Sequence, residues 1–425
     1  MPQFYIYRDT DDPAAPGIHL KLGEHIITGE ADLATHFGPA SSLERDLLSI
    51  AAAVFAADRG IQRGEREDFA RRIEISIPVV RIGVLQPLKQ QIETVLRLLS
   101  NDSWKIDFRE EQGEITRLKQ QGVADGSVLL FSGGLDSLAA AIDSGQSGPI
   151  TLVSHVTRAH QTINTQRRLV EMLEEAGTPL PHLQFFVSSR DAAAFDHDIE
   201  SSQRTRSFLF LILAAIVANR QGRRRILMMA ENGQMAIHLP LNSARIGAFS
   251  THTAHPDVLV GMQRILSTAL GVPLVLQNPY IFMTKAEVVE RVWSTIPTTI
   301  PIANSCWKSA RLPEGVTHCG ECIPCFIRHI AIRIHGDDPT AYGRRIFDET
   351  LSAMGPEDEG RRNLADLCEF IKQFRTLSNT EILDEWPELY SVNVDAERTI
   401  AMYRRAAGQA TLVLRTYPGM AAVLQ

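Results

Sequence analysis

Cysteine is scarce in this sequence, with five residues among 425. Four of the five lie between Cys306 and Cys325, a distribution that disfavours a secreted protein held by many disulfides and favours a metal site in a reducing compartment. No apolar run is long enough to span a membrane, and no basic stretch with an apolar core follows Met1. We therefore expect a cytoplasmic protein without a membrane anchor or a signal peptide.

An excess of positive charge is also absent. The 50 aspartates and glutamates outnumber the 43 lysines and arginines, and the formal net charge is −7. Proteins that bind nucleic acid through its phosphates usually present a basic face, so the composition disfavours a nucleic-acid partner. A hydrophobic content of 44% is ordinary for a globular protein, and the length suits two or three domains.

The stretch from Val128 to Ala141 organises the rest of the chain. An apolar segment leads into Ser-Gly-Gly-Leu-Asp-Ser at positions 132–137 and then into a segment rich in leucine and alanine, which predicts a buried strand, a tight loop and a helix. Free backbone N–H groups at such a helix N-terminus hold phosphate, and Ser132 and Ser137 can add hydroxyl donors. Asp136 would repel a bare phosphate, so we expect it to hold Mg²⁺. A plain strand-to-helix turn is the alternative interpretation.

The residues after this loop alternate between strand-like and helix-like segments. Strands are predicted at Ile150–Ser154, Gln184–Val187 and Ile226–Ala230, with helical segments between them. This alternation indicates an α/β fold with a parallel sheet and helices on both faces. Ligands bind beyond the carboxyl ends of such strands. The rule gathers the loop with residues that follow the other strands: His155, Ser188, Ser189, Arg190, Glu231, Asn232 and Gly233.

Three later polar positions are candidate contacts for phosphate or substrate. Arg206 opens an apolar helical segment and would contact phosphate or carboxylate, or be a solvated cation. The polar run 250–256 holds His252 and His255, which would contact substrate or belong to a plain loop. Lys285 follows a threonine with capping-box spacing and would neutralise pyrophosphate in the transition state. An ordinary surface lysine is the alternative there.

The second strong motif is a group of cysteines. A Cys-x-x-Cys-x-x-Cys run and one upstream cysteine supply four thiolates, which suit a structural tetrahedral Zn²⁺ site. An iron–sulfur cluster also uses four thiolates and is the alternative. His318 and His329 lie near enough to replace a ligand, whereas Cys368 falls in an amphipathic helical segment and is expected to be a buried core thiol. The four expected ligands are Cys306, Cys319, Cys322 and Cys325.

The motifs divide the chain into three regions. Residues 1–126 carry no chemical motif and are interpreted as a small α+β accessory domain, with Ser42 expected to cap a helix. Residues 127–335 hold the phosphate loop and the cysteines. Residues 336–425 are interpreted as a helical cap or a surface for homo-oligomerisation. Helices of the second half are predicted at Phe326–Ile334, Ala341–Met354, Gly360–Leu377, Thr380–Leu389 and Ala396–Ala407.

The phosphate loop and the cysteine run, in this order, resemble the 7-cyano-7-deazaguanine synthase (QueC) family of PP-loop ATP pyrophosphatases. The Gly-Lys-Ser/Thr ending of a P-loop is absent, and the resemblance covers about residues 128–334. It implies an adenine nucleotide alpha hydrolase-like fold, with ATP and Mg²⁺ at the loop and Zn²⁺ at the cysteines. The implied ATP contacts are Phe131, Ser132, Gly133, Gly134, Leu135, Asp136, Ser137, Leu138 and His155. The implied catalytic residues are Asp136, Ser137, Arg206 and Lys285.

The family reaction, carried over as an implication, is an AMP-forming C–N ligation in two ATP-dependent stages. ATP adenylates the carboxylate of 7-carboxy-7-deazaguanine, and ammonia then gives the amide. A second adenylation dehydrates the amide to the nitrile. The deazapurine is the implied small-molecule substrate, and its candidate contacts are Glu231, Asn232, His252 and His255.

The sequence departs from the compact members of that family. Long extra segments precede the loop and follow the cysteines, Ser207 stands where the family has asparagine, and the segment 234–256 looks different. These features resemble the long QueC-like proteins of bacterial antiviral gene clusters, the QatC group. An amine on a partner protein is then the alternative acceptor to ammonia. Two further hypotheses are a PP-loop tRNA-modifying enzyme and a non-catalytic binding module.

Overall fold

The computed structural model describes residues 4–63, 70–117, 122–156, 160–189, 199–200, 202–241, 252–309, 312–350 and 353–420; Arg190 and the first two residues of the polar run, Ser250 and Thr251, lie outside these ranges. The strands are β1 (Phe4–Tyr7), β2 (Ile18–Lys21), β3 (Ile26–Thr28), β4 (Arg72–Val79), β5 (Ser103–Glu110), β6 (Ser127–Leu130), β7 (Ile150–Val156), β8 (His182–Ser189), β9 (Arg225–Met228) and β10 (Val275–Gln277). The helices are α1 (Glu30–Phe37), α2 (Ser42–Gly60), α3 (Ile82–Leu85), α4 (Lys89–Ser100), α5 (Leu135–Gly145), α6 (His160–Glu175), α7 (Arg206–Arg220), α8 (Gly233–Ile237), α9 (Pro256–Leu270), α10 (Lys285–Thr295), α11 (Ile323–Arg333), α12 (Glu359–Thr376), α13 (Asn379–Glu385) and α14 (Ala396–Leu414). None of the described helices is long and apolar enough to cross a membrane.

The central sheet has the strand order β10-β9-β6-β7-β8-β3, and its pairs are parallel except for β3, which runs antiparallel to β8. Along β6, Val128 and Leu130 face one hydrophobic cluster, which includes residues of α7 and α9. Leu129 and Phe131 face another, which includes residues of α5 and α10. Helices therefore cover both faces, and the α/β fold with a parallel sheet is confirmed. Because β6 is an interior strand, the loop after it opens in the middle of the sheet edge.

Two strands of this sheet carry no periodic sequence signal. β10 has three residues, of which only Leu276 is buried. β3 also has three residues, comes from the N-terminal region, and pairs Ile26 with Ser189. Segments this short cannot show the alternation by which a strand is recognised, and tertiary pairing decides their conformation. As a result, the first 126 residues supply an edge strand to the sheet that carries the phosphate loop.

A second sheet, with the parallel order β2-β1-β4-β5, lies within the N-terminal region. Helix α2 packs against β4 of this sheet and against α7, and it is buried along nearly its whole length. Its alanines at 51–53 and 56–57 suit this position because small side chains allow close approach of neighbours on several sides. One hydrophobic core continues from the N-terminal sheet through α2 and α7 to the central sheet.

A buried ion pair fixes α2 to α7. Ser41, rather than the expected Ser42, is the N-cap of α2, and it forms a capping box with Glu44. The Glu44 carboxylate also accepts two hydrogen bonds from Arg220, at 2.6 and 2.7 Å. Arg220 donates its other hydrogen bonds to the carbonyls of Phe37 and Pro39. The two charges are thus paired and hydrogen-bonded, which is the condition under which a protein tolerates them in its interior.

The C-terminal region is helical, with one correction. Helices α11, α12 and α14 confirm the segments expected around them, but the helix expected over Ala341–Met354 is wrong. That segment runs beside the cysteines, where the N–H of Gly343 donates to the His318 carbonyl and the N–H of Arg344 donates to the Cys319 carbonyl. Because these backbone groups bond across to the cysteine segment, they cannot form a helical ladder, and the described part of 341–350 holds a short 3₁₀ turn at 346–348 instead.

Replacing Arg220 by methionine is expected to lower the free energy of unfolding by about 3–5 kcal/mol, because Glu44 would become an unpaired buried charge. Chemical denaturation would measure the loss. Arg168→Met is the matched control, because Arg168 is an exposed arginine that pairs with Glu171 and Glu175. It should leave the midpoint nearly unchanged. Equal midpoints for the two variants would contradict the assignment of the buried pair.

Candidate active site

The phosphate loop turns between β6 and α5. Gly133 has a φ of 82°, a left-handed conformation that suits glycine. Gly134 precedes α5, and no side chain caps this helix, so N–H groups of its first turn stay available to a ligand. The Ser137 hydroxyl donates to the Gly134 carbonyl at 3.0 Å and lies 3.2 Å from the Ser132 hydroxyl. Backbone donors and two hydroxyl groups therefore lie together at the sheet edge, an arrangement that can bind an anion.

Asp136 is the point where three parts of the chain meet. Its Oδ2 accepts a hydrogen bond from Lys285 Nζ at 2.8 Å and one from Asn232 Nδ2 at 3.2 Å. Lys285 is the first residue of α10, and the capping box of Thr284 and Glu287 fixes where that helix begins. Lys285 is buried, so the surface-lysine interpretation is wrong. Asp136 and Asn232 are brought together as the carboxyl-end rule predicts, and Lys285, a separate candidate, joins them.

Glu231 places a second carboxylate beside this group. Burial of the carboxyl group and the nearby charge of Asp136 raise the pKa of Glu231 to about 8, while Lys285 acts in the opposite direction. Within the described residues, Asp136 Oδ1 and Glu231 Oε2 are buried oxygens without a hydrogen-bond partner. Two neighbouring carboxylates with oxygens that lack donors fit a divalent cation such as Mg²⁺, which prefers carboxylate ligands.

His155, on β7, and Arg206, at the start of α7, form a second group of the site. The His155 ring is fully buried; its Nε2 donates to the Val187 carbonyl at 2.8 Å, and its Nδ1 accepts from Arg206 Nε at 3.3 Å. Burial and then the Arg206 charge lower the pKa of His155 to about 3, so the ring is neutral. Phe210 and Phe55 pack edge-on against it, at 5.6 and 5.5 Å between centroids. Helix α2 of the N-terminal region therefore reaches the site through Phe55.

The two histidines of the polar run have different surroundings. His255 caps α9, because its Nδ1 accepts from the Asp257 N–H at 3.3 Å. The His252 ring packs edge-on against that of His255, with 5.2 Å between centroids. Burial, followed by the His255 ring, lowers the pKa of His252 to about 3. The structure places His252, but not His255, on the wall of the cavity that also contains Lys285.

A cavity of about 280 Å³ adjoins Lys285. Its polar wall comes from Gln234, His238, His252, Lys285, Trp307 and Glu388. Its apolar wall comes from α11, α12 and α14, through Ile327, Ile330, Leu367, Phe370, Ile371 and Ala407. The cavity thus lies where the C-terminal helices cover the cysteine-bearing region, and it joins a cationic end to an apolar end.

Sequence reasoning missed the aromatic wall of this cavity, which is formed by His238 and Trp307. The rings of His238 and Trp307 lie nearly parallel, at an angle of 14° with 6.3 Å between their centroids. Trp307 directly follows Cys306, so its position beside an expected ligand was a usable signal. No sequence signal pointed to His238, because it follows the short helix α8 in a left-handed conformation with a φ of 49°.

The four expected cysteine ligands form one buried cluster, with their Sγ atoms within 4.8 Å of one another. The Cys322–Cys325 and Cys319–Cys325 Sγ separations are 3.4 and 3.8 Å. Zinc–sulfur bonds of about 2.3 Å place tetrahedral sulfurs about 3.8 Å apart, so the cluster fits one zinc ion. An iron–sulfur cluster would bind the thiolates through separate irons and needs wider spacing. The backbone N–H groups of Lys308 and Cys319 also point at Cys306 Sγ.

The other candidate ligands are engaged elsewhere. His318 accepts from the Ser305 N–H at 3.1 Å, and its second nitrogen lies 2.8 Å from the Thr317 hydroxyl. His329 lies between the Asp338 carboxylate and the Tyr417 hydroxyl. Cys368 is a buried core thiol, as expected, and burial raises its pKa to about 11. Four cysteines without a histidine therefore make up the metal site.

The parallel sheet, the glycine loop at its carboxyl edge and the four-cysteine cluster are those of an ATP-using enzyme of the PP-loop type with a cysteine site that could hold a metal ion. Comparison with known proteins agrees: residues 126–336 match the model of the family described as queuosine biosynthesis protein QueC, and this part of the chain belongs to that family. No curated protein matches the chain.

Purified protein is expected to contain about one zinc ion per chain, because the four thiolates complete one tetrahedral shell. Cys319→Ser should lose the metal and lower the melting temperature, as measured by elemental analysis and thermal unfolding. Cys368→Ser is the matched control, since it changes a buried cysteine outside the cluster and should keep the full zinc content. Retention of zinc in Cys319→Ser would contradict the assignment.

Proposed function

We propose that this protein uses ATP to activate the carboxylate of a deazaguanine-type heterocycle. The observation that carries the proposal is the convergence, at Lys285, of an anion-binding loop, a pair of carboxylates and a cavity with an aromatic wall. The substrate carboxylate attacks the α-phosphorus of ATP, an acyl adenylate forms, and pyrophosphate leaves. No protein nucleophile takes part, so the residues act by binding and by electrostatic stabilisation.

Each part of the site has a role in that step. Backbone N–H groups of the loop, with Ser132 and Ser137, hold the pyrophosphate portion of ATP. Lys285 donates to the oxygens on which negative charge develops. Asp136 and Glu231 would hold Mg²⁺, which would neutralise phosphate charge when bound.

Arg206 is a second cation available to the reactants. Burial lowers the pKa of its guanidinium to about 10, and no carboxylate within the described part of the chain contributes to that shift. Its Nε donates a hydrogen bond to Nδ1 of His155, which carries no proton there and therefore acts as an acceptor. A half-buried guanidinium held in this way suits a phosphate or carboxylate of the reactants.

The aromatic wall suits a planar heterocycle. A ring stacked between two others needs about 7 Å between the outer rings, because each stacking distance is about 3.5 Å. The His238 and Trp307 rings stack with their centroids 6.3 Å apart, so the two rings would have to separate before a deazapurine could lie between them. His252 lies on the wall of the same cavity, and Asn232 donates a hydrogen bond to Asp136 beside Lys285; both are proposed substrate contacts.

The activated carboxylate can react by one of two routes, which differ in the acceptor. With ammonia, the product is the amide, and a second ATP-dependent step dehydrates it to the nitrile. With an amine of a partner protein, the product is a deazapurine joined to that protein. The apolar wall from α12 and α14 favours the second route, because ammonia has no apolar group to place there.

We also propose a cellular role and a compartment for the reaction. The long flanking regions support a role beside a partner protein in a bacterial anti-phage defence system. Four thiolates that bind zinc stay reduced in the cytoplasm, where we place the enzyme.

Incubation with Mg²⁺, ATP and 7-carboxy-7-deazaguanine is expected to release AMP and pyrophosphate. Lys285→Ala should slow release by about 10²–10³-fold, because it removes one preorganised cation, and Lys285→Arg should recover part of the rate. Lys372→Ala is the control, since Lys372 is an exposed lysine on α12. A coupled pyrophosphate assay would measure the rates.

Mass spectrometry of the products then separates the two routes. A nitrile formed with ammonia supports the small-molecule product, and a mass increment on a co-encoded protein supports ligation. No AMP with either acceptor, from a zinc-loaded enzyme, would contradict the proposed function.

The affinity for Mg²⁺ is expected to rise with pH. Since the pKa of Glu231 is about 8, its carboxyl is mostly protonated at pH 6.5 and mostly ionised at pH 9. The ionised form binds the cation, so affinity should increase by about thirtyfold over this range. Calorimetric titration with Mg²⁺ would measure it. Glu231→Gln should bind more weakly at pH 9 and lose this pH dependence; an unchanged profile in the variant would assign it to another group.

A further inference from the structure

The segment between Ile300 and Cys306 contacts both the phosphate loop and the metal site. The N–H of Asn304 donates to the Gly133 carbonyl at 3.0 Å. The approach is close, because a Cβ on Gly134 would lie 3.1 Å from the Asn304 carbonyl oxygen. The Asn304 side chain accepts from the N–H of Cys306 at 2.9 Å. Asn304 is therefore a direct neighbour of the loop and of the first cysteine ligand.

Arg328 holds this segment from the other side. It lies on α11, three residues after Cys325, and its side chain is fully buried. Its guanidinium donates to the carbonyls of Ile300 and Ala303 and to the Ser305 hydroxyl, the last two at 3.0 and 3.2 Å. Hydrogen bonds from a charged donor are shorter and stronger than neutral ones, so this set fixes the segment to α11.

We propose that Arg328 is a positioning residue for the phosphate loop, and that it couples metal binding at the cysteines to ATP binding at the loop. Cys322 occupies the N-cap position of α11 and Cys325 lies in the first turn, so an ion bound by both would fix the start of this helix. The hydrogen bonds of Arg328 then fix the 300–306 segment relative to α11, and the hydrogen bond of Asn304 fixes Gly133 relative to that segment. The inference rests on the proposed binding of ATP to the loop and adds a role for the metal centre.

Coupling between two sites is reciprocal, which makes the proposal measurable from the metal side. The zinc-loaded full-length protein is titrated with a colorimetric chelator, with and without Mg²⁺ and a non-hydrolysable ATP analogue. Chelator calibrated with the same nucleotide corrects for zinc that the nucleotide binds. Bound analogue should lower the equilibrium transfer of zinc to the chelator by at least about fivefold, the low end of typical coupling between sites.

Variants of one helix then assign the coupling to Arg328. Arg328→Met should bring the coupling factor close to one, and Arg328→Lys, which keeps a charged donor, should keep part of it. Arg333→Met is the matched control on α11, because the Arg333 side chain pairs with the exposed Asp337. It should keep the full factor. A purely structural role for Arg328 would lower the melting temperature and leave the factor unchanged.

The outcomes separate this inference from the proposed function. An analogue that binds wild-type protein in calorimetry without altering zinc transfer would overturn the coupling alone. An analogue that fails to bind would overturn both. If Arg328→Met does not fold, Arg328→Lys and the wild-type protein decide: an unchanged factor in Arg328→Lys contradicts the role of Arg328.

Discussion

The site depends on the ion pair between Asp136 and Lys285, in which the carboxylate Oδ2 lies 2.8 Å from the lysine Nζ. The pair joins the first helical turn after the phosphate loop to the start of α10. The positive charge of Lys285 compensates the charge of Asp136, one of two neighbouring carboxylates. With ATP bound, Mg²⁺ held by Asp136 and Glu231 would supply positive charge at Asp136, and the phosphates would supply negative charge at Lys285. Because both charges stay compensated throughout, ATP can bind without leaving a bare buried charge.

The N-terminal region contributes to this arrangement from behind the sheet. Helix α2 places Phe55 against His155, and the Glu44–Arg220 pair fixes α2 to α7, the helix that opens with Arg206. The position of Arg206 relative to the sheet therefore depends on residues that carry no motif. The C-terminal helices contribute differently, since they form the apolar wall of the cavity beside Lys285. Both regions outside the family match thus shape the site.

The sequence predicted the features that depend on local chemistry. Ser-Gly-Gly-Leu-Asp-Ser, the four cysteines and the capping box before Lys285 each act within a few residues, so their geometry follows from spacing. The His238–Trp307 wall could not be found in this way, because it exists only where distant segments pack together. The error at Ala341–Met354 has the same origin: helix-like spacing was present, but hydrogen bonds to the cysteine segment determined the backbone.

The most direct test of the account is ATP–pyrophosphate exchange with the zinc-loaded enzyme in the absence of an acceptor amine. Reversible formation of an acyl adenylate predicts that labelled pyrophosphate enters ATP only when 7-carboxy-7-deazaguanine is present, and that Asp136→Asn loses this exchange. Exchange that is independent of the carboxylate substrate, or none at all with ATP shown to be bound, would contradict carboxylate activation at this site.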